Sequence, residues 1–307
     1  MEKVIVVIGP TSVGKTKMGV ALAKKFNGEV ISGDSMQIYK QMDIGTAKVT
    51  EEEKEGIIHH CVDILNPDET YSVHDFQQTV RKKITEITQR GHVPIIVGGT
   101  GLYIKAALYD YQFDEMENDH HAINEKYKDY TNEQLHDHLK LIDEESAKTL
   151  HFNNRRRVLR AIEIYETTGK RKSEMLEEQE HICLYDAYFV GLTLPRDVLY
   201  ERINKRVDVM MENGLKEEMD CLYSQGLTRN HQSMKAIGYK EWFDYYDHQI
   251  DLNDVLELIK KHSRQYAKRQ YTWFKNQFDV HWYDVNLENF EQTIEQVTDD
   301  IEKILKV

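Results

Sequence analysis

Eight residues near the start of the chain have the types and spacing of a phosphate-binding loop. They match G-x-x-x-x-G-K-[S/T], directly after an apolar run at residues 3–8 and before a helical pattern. In such a loop, backbone N–H groups and the lysine ammonium surround phosphate, and the last hydroxyl can ligate Mg²⁺. The pattern predicts binding of a diphosphate or triphosphate, without distinguishing a kinase, an ATPase or a transferase that releases diphosphate. The loop comprises Gly9, Pro10, Thr11, Ser12, Val13, Gly14, Lys15 and Thr16.

A carboxylate suited to proton transfer follows the next apolar run. Asp34 comes just after residues 29–32, whereas the run at 93–97 leads into Gly-Gly-Thr and lacks the acid of a nucleoside triphosphatase. Because the carboxyl ends of parallel strands share one edge of a sheet, we expect Asp34 near the loop. We favour a general base over a turn cap for this residue. Thr100 fits a helix N-cap and a ligand contact equally well.

Histidine pairs elsewhere in the chain do not favour a metal centre. His59 and His60 would point to opposite faces of a strand, so they cannot both bind one ion. His136 and His138 have acidic neighbours but no C-x-x-C or H-x-x-x-H pattern beside them. We therefore expect these four side chains to be structural or solvated.

Two basic clusters interrupt a chain whose net charge is −13. Arginines that follow phosphates, beside rings on which bases stack, are typical of RNA-binding surfaces, and the second cluster contains such rings. Solvated helix faces have the same composition, and the acidic total opposes nucleic-acid binding, so the residues alone leave both interpretations open. The first cluster is Arg155, Arg156, Arg157, Arg160, Lys170, Arg171 and Lys172; the second is Lys260, Lys261, Arg264, Lys268, Arg269 and Lys275, with Tyr266, Tyr271, Trp273 and Phe274.

Alternating apolar runs and helical stretches predict the elements that position these residues. Strands are predicted at 3–8, 29–32, 57–64, 93–97 and 187–194, and helices at 15–26, 73–90, 101–108, 251–276 and 289–306, the second of them capped by Ser72. We predict an α/β fold, a P-loop NTPase-like parallel sheet flanked by helices, with a helical insertion domain. The core would comprise residues 1–112 and 185–307, and the insertion residues 113–184.

Composition and cysteine usage exclude several classes of protein. The apolar run at residues 4–8 is too short for a signal peptide, and no later run reaches the roughly 20 apolar residues of a membrane helix. Cys61, Cys183 and Cys221 are far apart and odd in number, which argues against disulfides and a zinc site. We expect a cytoplasmic protein without a membrane partner.

Several segments together resemble one family, the bacterial tRNA dimethylallyltransferases, also called tRNA isopentenyltransferases. They occur in the family's order along nearly the whole chain, so the match is far more specific than the loop alone. The segments are the loop itself, DSMQIY at 34–39, MDIGTAK at 42–48, His59-His60 with Asp63, GGTGLY at 98–103, NRRRVLR at 154–160, Arg206 with Met210 and Gly214-Leu215, AIGYKE at 236–241 and RQYAKRQ at 264–270.

The resemblance implies a donor, an acceptor and residue roles. Dimethylallyl diphosphate would give its dimethylallyl group to the exocyclic amine of the adenosine immediately 3′ of a tRNA anticodon, extruded into a channel of the loop-bearing domain. The insertion would grip the anticodon stem-loop, and the protein would act as a monomer. Asp34 would be the base, Thr100 a second catalytic residue, and Lys15 and Arg206 would hold the leaving diphosphate with Mg²⁺ on Thr16. The residues implied to contact tRNA are Asp34, Ser35, Met36, Gln37, Thr100, Arg156, Arg157, Arg160, Tyr239 and Lys240.

Two other functions are compatible with the loop. One is a small-molecule kinase that uses ATP, and the other is a nucleotide-switched RNA-binding protein. The missing acid after residues 93–97 counts against both.

Overall fold

The computed structural model describes residues 1–111, 120–177 and 181–305. Among them, residues 1–109 and 183–305 form one compact unit, and those between 110 and 182 form a second. The expected start of the insertion at residue 113 lies outside the described residues. No described helix has the length and apolar character needed to cross a membrane.

The larger unit is built on a sheet of six strands: β1 (Lys3–Ile8), β2 (Gly28–Ser32), β3 (His59–His60), β4 (Val93–Val97), β5 (Asp186–Thr193) and β6 (His281–Asp284). Their order across the sheet is β3-β2-β4-β1-β5-β6. Every neighbouring pair in it is parallel. This arrangement confirms the predicted parallel sheet.

Helices cover both faces of that sheet and also make up the smaller unit. The helices that precede the smaller unit in the sequence are α1 (Lys15–Lys25), α2 (Glu51–Lys54), α3 (Val73–Gln89) and α4 (Gly101–Leu108). The smaller unit contains α5 (His120–Lys126), α6 (Asn132–Ile142), α7 (Glu144–Thr149), α8 (Arg155–Thr168) and α9 (Lys172–Glu177). The larger unit resumes with α10 (Arg196–Glu212), α11 (Leu215–Ser224), α12 (Trp242–Tyr246), α13 (Leu252–Gln277) and α14 (Phe290–Leu305).

The apolar strand β1 explains why the sheet is covered on both sides. Val4, Val6 and Ile8 pack into one hydrophobic cluster, whereas Ile5 and Val7 pack into another. Successive side chains of a strand point to opposite faces, so a run without polar residues must be buried on both faces. Burial of β1 places the loop that follows it at the centre of the sheet's carboxyl edge.

Two strands differ from the sequence-based expectation. The segment 57–64 contributes only His59 and His60 to the sheet, because Cys61 and Asp63 have φ angles of 61° and 54° and leave the extended conformation. Strand β6 was not predicted, since its four residues follow a 26-residue helix in a region that we expected to be mostly helical. It pairs only with β5 and forms one edge of the sheet.

The smaller unit has a hydrophobic core of its own. Leu135 and Leu139 of α6 are fully buried, as are Val158 and Ile162 of α8. The Thr131 hydroxyl and the Gln134 side chain form a capping box at the start of α6. Helical periodicity therefore directs the apolar stripes of α6 and α8 inward.

Candidate active site

A cavity of about 570 Å³ lies at the carboxyl edge of the sheet. It is lined by the loop after β1, by Asp34 after β2 and by Gly98 and Gly99 after β4. Helices α10 and α13 complete its wall through Arg206 and Gln270, among others. The cavity therefore collects polar groups that lie far apart in the sequence, as expected for open α/β sheets.

The loop from Gly9 to Thr16 ends with the conformation that opens helix α1. Gly14 has a φ of 105° and is the N-cap of α1, and a Cβ atom there would lie 2.8 Å from the ring of Phe290. Only glycine fits both the left-handed conformation and the close approach. The positive end of α1 and the loop N–H groups are thereby available for an anion.

Lys15 extends back along the loop. Its Nζ donates to the carbonyl oxygens of Gly9 at 3.1 Å and Pro10 at 2.8 Å. Desolvation within the cavity, aided by the nearby Arg206 guanidinium, lowers the pKa of Lys15 to about 7, although Asp34 acts in the opposite direction. Desolvation also lowers the pKa of Arg206 from its usual value. An anionic ligand would relieve this repulsion.

Asp34 combines the two roles that its sequence context left open. Its Oδ1 accepts the backbone N–H of Met36 at 2.8 Å, which caps the turn after β2. The same residue lines the cavity, and burial raises the pKa of its carboxyl group, with Lys15 and Arg206 acting against this rise. A turn that fixes the carboxylate is compatible with proton transfer, because a base must be held in place.

Thr100 occupies the N-cap position of α4 but makes no capping hydrogen bond with its side chain. Its Oγ1 accepts the N–H of Ser35 at 3.1 Å and donates to the Ser35 hydroxyl oxygen at 3.3 Å. Neither residue is among those that line the cavity. This geometry ties Thr100 to the turn that carries Asp34.

The segment after Asp34 approaches the cavity through Gln37. The Gln37 side chain accepts the Ser32 hydroxyl at 2.9 Å and lines the cavity wall. Met36 is half-buried and packs against the larger hydrophobic cluster. The four-residue segment expected to meet the adenosine therefore contributes two cavity-lining residues, Asp34 and Gln37.

Polar residues of the cavity that were not predicted as site residues include Lys17, Glu53 and four others on α10 and α13. Arg202 and Lys205 lie on the same face of α10 as Arg206, at the i, i+3 and i+4 spacing that could have revealed them. Arg202 donates through Nε to the carbonyl oxygen of Ser12 at 3.0 Å. Tyr266 and Gln270 lie four residues apart on α13. In the sequence, Tyr266 is recognisable only as an aromatic residue of the second basic cluster, and Gln270 only as the last residue of the family-like segment 264–270.

The residues expected to contact tRNA have different environments. Arg156 and Arg157 are exposed on α8, and Arg160 is half-buried with Nη1 2.8 Å from Glu163 Oε2. Lys240 is exposed in the larger unit. Tyr239, in contrast, is fully buried.

Tyr239 donates its hydroxyl to Glu218 at 2.6 Å. A direct contact with a tRNA phosphate would require this side chain to leave the core. In this structure Tyr239 supports the loop at residues 43–45, whose N–H groups the same carboxylate accepts, and its contact with tRNA stays a prediction.

The donors available for a metal ion are few. Within the described residues, no group of three His, Cys, Asp or Glu side chains is arranged to hold one. The Thr16 hydroxyl lies in the cavity and is the kind of hard oxygen donor that Mg²⁺ accepts beside phosphate oxygens and water. His136 contacts the carbonyl oxygens of Ala147 and Leu150, and His138 contacts the Tyr127 hydroxyl, so this pair has structural partners.

A second, larger cavity of about 720 Å³ lies beside α12 and the start of α13. Apart from His248, the ionisable acid and base side chains that line it are those of Lys216, Asp251 and Asp254. Lys216 is paired with Asp220 at 2.6 Å. No residue of the phosphate loop lines this cavity, and its lining lacks the net positive charge that would bind a diphosphate.

Comparisons with known proteins agree with the parallel-sheet fold. A family model described as IPP transferase matches residues 37–277. The tRNA dimethylallyltransferase of Bacillus cereus (strain AH187) is 54% identical over 287 residues, which cover 92% of this chain and 90% of that protein. A tRNA isopentenylpyrophosphate transferase structure from Staphylococcus epidermidis has a TM-score of 0.74 and 47% identity, with 99% of each chain covered. A eukaryotic dimethylallyltransferase acting on tRNA has a TM-score of 0.86 and 33% identity, covering 99% of this chain and 79% of that one.

Proposed function

We propose roles for the cavity residues from the premise that this chain belongs to the IPP transferase family and is a tRNA prenyltransferase. A kinase or a nucleotide-switched RNA-binding protein is not favoured by this membership. The observation that carries the proposal is that Asp34, Lys15 and Arg206 line one cavity together with the phosphate loop. This grouping supports a base at Asp34 beside the residues that we propose to hold a diphosphate.

The donor would be dimethylallyl diphosphate, bound through its diphosphate by the loop. The N–H groups of the loop, Lys15 and Arg206 would offset its charge, as Arg202 and Lys205 would from the same face of α10. The leaving diphosphate gains charge as the carbon–oxygen bond breaks, so these cations stabilise the transition state more than the ground state. Thr16 would hold Mg²⁺, which supplies further charge neutralisation at the diphosphate.

The acceptor would be the exocyclic amine of the adenosine immediately 3′ of the anticodon. That nitrogen is weakly nucleophilic because its lone pair is shared with the ring, and it must lose one proton as it bonds to the allylic carbon. Asp34 would accept this proton, and the electron pair of the broken carbon–oxygen bond would leave on the diphosphate. The raised pKa of Asp34 brings its basicity closer to neutral pH.

The remaining roles concern tRNA binding. We propose that Asp34 and Gln37 contact the extruded base, while Thr100 with Ser35 fixes the turn that carries Asp34. The exposed Arg156 and Arg157 would bind phosphates of the anticodon stem-loop, as would Arg160 and, from the larger unit, Lys240. The helical insertion would thus grip the stem-loop. We propose a monomer that acts in the cytoplasm, where its acceptor is used.

Single-turnover transfer of label from radiolabelled dimethylallyl diphosphate to unmodified tRNA tests these roles. Asp34→Asn keeps an acceptor for the Met36 N–H but cannot take a proton. We expect the transfer step to slow by roughly 10²- to 10⁴-fold, with the Kd for tRNA changed less than about twofold. tRNA whose adenosine beside the anticodon is replaced should receive no label.

Equal losses of tRNA affinity and transfer rate in Asp34→Asn would show that Asp34 is structural rather than a base. Transfer to the adenosine-replaced tRNA would show that the acceptor is a different nucleotide.

A further inference from the structure

The first backbone donor of the phosphate loop is already occupied by a side chain. Pro10 has no N–H group, so the first N–H after Gly9 belongs to Thr11. This N–H donates to Gln270 Oε1 at 2.9 Å, across 259 residues of chain. The loop donors that remain for a ligand are the N–H groups of residues 12–16.

Gln270 is fixed from both sides. Its Nε2 donates to the Gly99 carbonyl oxygen at 3.0 Å, so one amide joins the loop after β1 to the loop after β4. Only 5% of the residue is exposed, and a Cβ atom on Gly99 would collide with its amide nitrogen. An amide with both ends bonded and its side chain buried does not move aside readily for a ligand.

This contact limits the number of phosphates that the loop can bind. The start of α1 and Lys15 hold phosphate at the closed end of the loop, and a longer phosphate chain must extend toward the first residues of the loop. At that end the Thr11 donor is used, and the Gln270 side chain lines the cavity. A third phosphate would lose a backbone donor and meet the carbonyl oxygen of the amide.

We propose that Gln270 determines the specificity of this enzyme for a diphosphate over a triphosphate, by occupying the Thr11 N–H and the adjoining part of the cavity. The inference rests on the proposed binding of the diphosphate in the loop. It gives a physical reason why a loop whose sequence fits ATP would serve a diphosphate donor. Gln270 acts through binding alone and takes no part in the bond changes.

The test compares inorganic pyrophosphate with tripolyphosphate by calorimetry at one fixed Mg²⁺ concentration. Tripolyphosphate carries more negative charge, so charge alone favours it, and we expect wild-type protein to prefer pyrophosphate nevertheless. In Gln270→Ala the Thr11 donor and the space become free. One regained charge-assisted hydrogen bond should shift the ratio of the two Kd values toward tripolyphosphate by about tenfold or more.

Two further variants keep the test decisive. Gln270→Ser, whose side chain is too short to reach Thr11, should shift the ratio in the same direction if Gln270→Ala does not fold. Thr272→Ala is the matched control on the same helix, because Thr272 is exposed, is not among the residues that line the cavity, and donates its hydroxyl to the Lys268 carbonyl oxygen at 3.0 Å. We expect its ratio to stay within about twofold of the wild-type value. Thermal melting would verify that each variant is folded.

An unchanged ratio in folded Gln270→Ala would overturn the inference. A folded Gln270→Ala that loses both ligands equally would overturn it too, since the residue would then only support the loop. An equal shift in Thr272→Ala would assign the change in selectivity to a general disturbance of α13 instead. If wild-type protein bound no pyrophosphate in competition with dimethylallyl diphosphate, the diphosphate site itself would be wrong, which is a separate result.

Discussion

At the scale of single residues, the cavity is lined by five cationic side chains but by only two carboxylates, those of Asp34 and Glu53. Desolvation and the charge of Arg206 lower the pKa of Lys15, and Asp34 offsets this only in part. Desolvation and the charge of Arg202 lower the pKa of Arg206, against the effect of Glu53 and Asp34. The burial that raises the pKa of Asp34 also lowers that of Lys15. The arrangement is thus tuned to receive a polyanion, whose binding would favour the charged form of both cations.

Binding of pyrophosphate should therefore be linked to proton uptake by Lys15. With a pKa of about 7, roughly nine-tenths of the free amines are neutral at pH 8 and about one-tenth at pH 6. The bound anion raises this pKa, so uptake should approach one proton per site at pH 8 and be small at pH 6. Calorimetry in buffers of different ionisation enthalpy measures it.

The control for this experiment is Lys15→Arg, whose guanidinium stays charged throughout this range. The protons exchanged when pyrophosphate binds to Lys15→Arg include those that pyrophosphate itself gains or loses. The difference in proton uptake between wild type and Lys15→Arg therefore reports on Lys15 alone. Equal proton uptake by both proteins at pH 8 would contradict the low pKa.

Sequence alone identified some of these residues but not others, for a physical reason. The loop and Asp34 follow predicted strands, and parallel strands place their carboxyl ends at one edge, so local patterns were sufficient. Gln270 and Tyr266 reach the same cavity from a helix more than 160 residues beyond Gly99. No local pattern records such a contact, because it depends on how α13 packs against the sheet.

At the scale of elements, the same contrast separates α3 from β3. The start of α3 is determined locally, by a capping box in which Ser72 accepts the Asp75 N–H and the Asp75 side chain accepts the Ser72 N–H. The predicted cap at Ser72 is confirmed. The length of β3 depends on the positive φ angles at Cys61 and Asp63, which the apolar pattern of residues 57–64 does not reveal.

The loop at residues 43–45 is an element held by one carboxylate. Glu218 on α11 accepts the N–H groups of Asp43, Ile44 and Gly45 at 2.7 to 3.0 Å, together with the Tyr239 hydroxyl. The chain just after this loop, at Thr46 and Ala47, lines the cavity. Glu218 therefore links α11 to one wall of the site.

Glu218→Ala should lower the free energy of unfolding of the larger unit by about 2 kcal/mol or more, because three N–H groups and a buried hydroxyl lose their acceptor. Urea titration followed by tryptophan fluorescence measures it, since Trp242, Trp273 and Trp282 all lie in that unit. Glu217→Ala, at an exposed neighbouring position, should change the free energy by about 0.5 kcal/mol or less. Similar losses in both variants would show that the hydrogen bonds of Glu218 contribute little.

At the scale of the whole molecule, a net charge of −13 must be reconciled with a polyanionic acceptor. The reconciliation is local, because the smaller unit presents Arg156 and Arg157 exposed on one helix. Within that unit, Lys172 lies close enough to Arg157 and Arg160 that, after desolvation, their charges lower its pKa. Such a concentration of cations is favourable where phosphates bind, even in an acidic chain.

Arg157→Ala should weaken tRNA binding and reduce its dependence on salt. Each phosphate contact releases about one counterion, so the slope of log K against log salt concentration should fall in magnitude by about 0.7 to 1. Lys148→Ala is the control in the same unit, because Lys148 is exposed but paired with Glu144 and Glu145. Its slope should match that of the wild type. Filter-binding titrations between about 50 and 200 mM salt measure both slopes. If Arg157→Ala left the slope unchanged, the insertion would bind tRNA through other residues, and the acidic net charge would have to be offset elsewhere on the molecule.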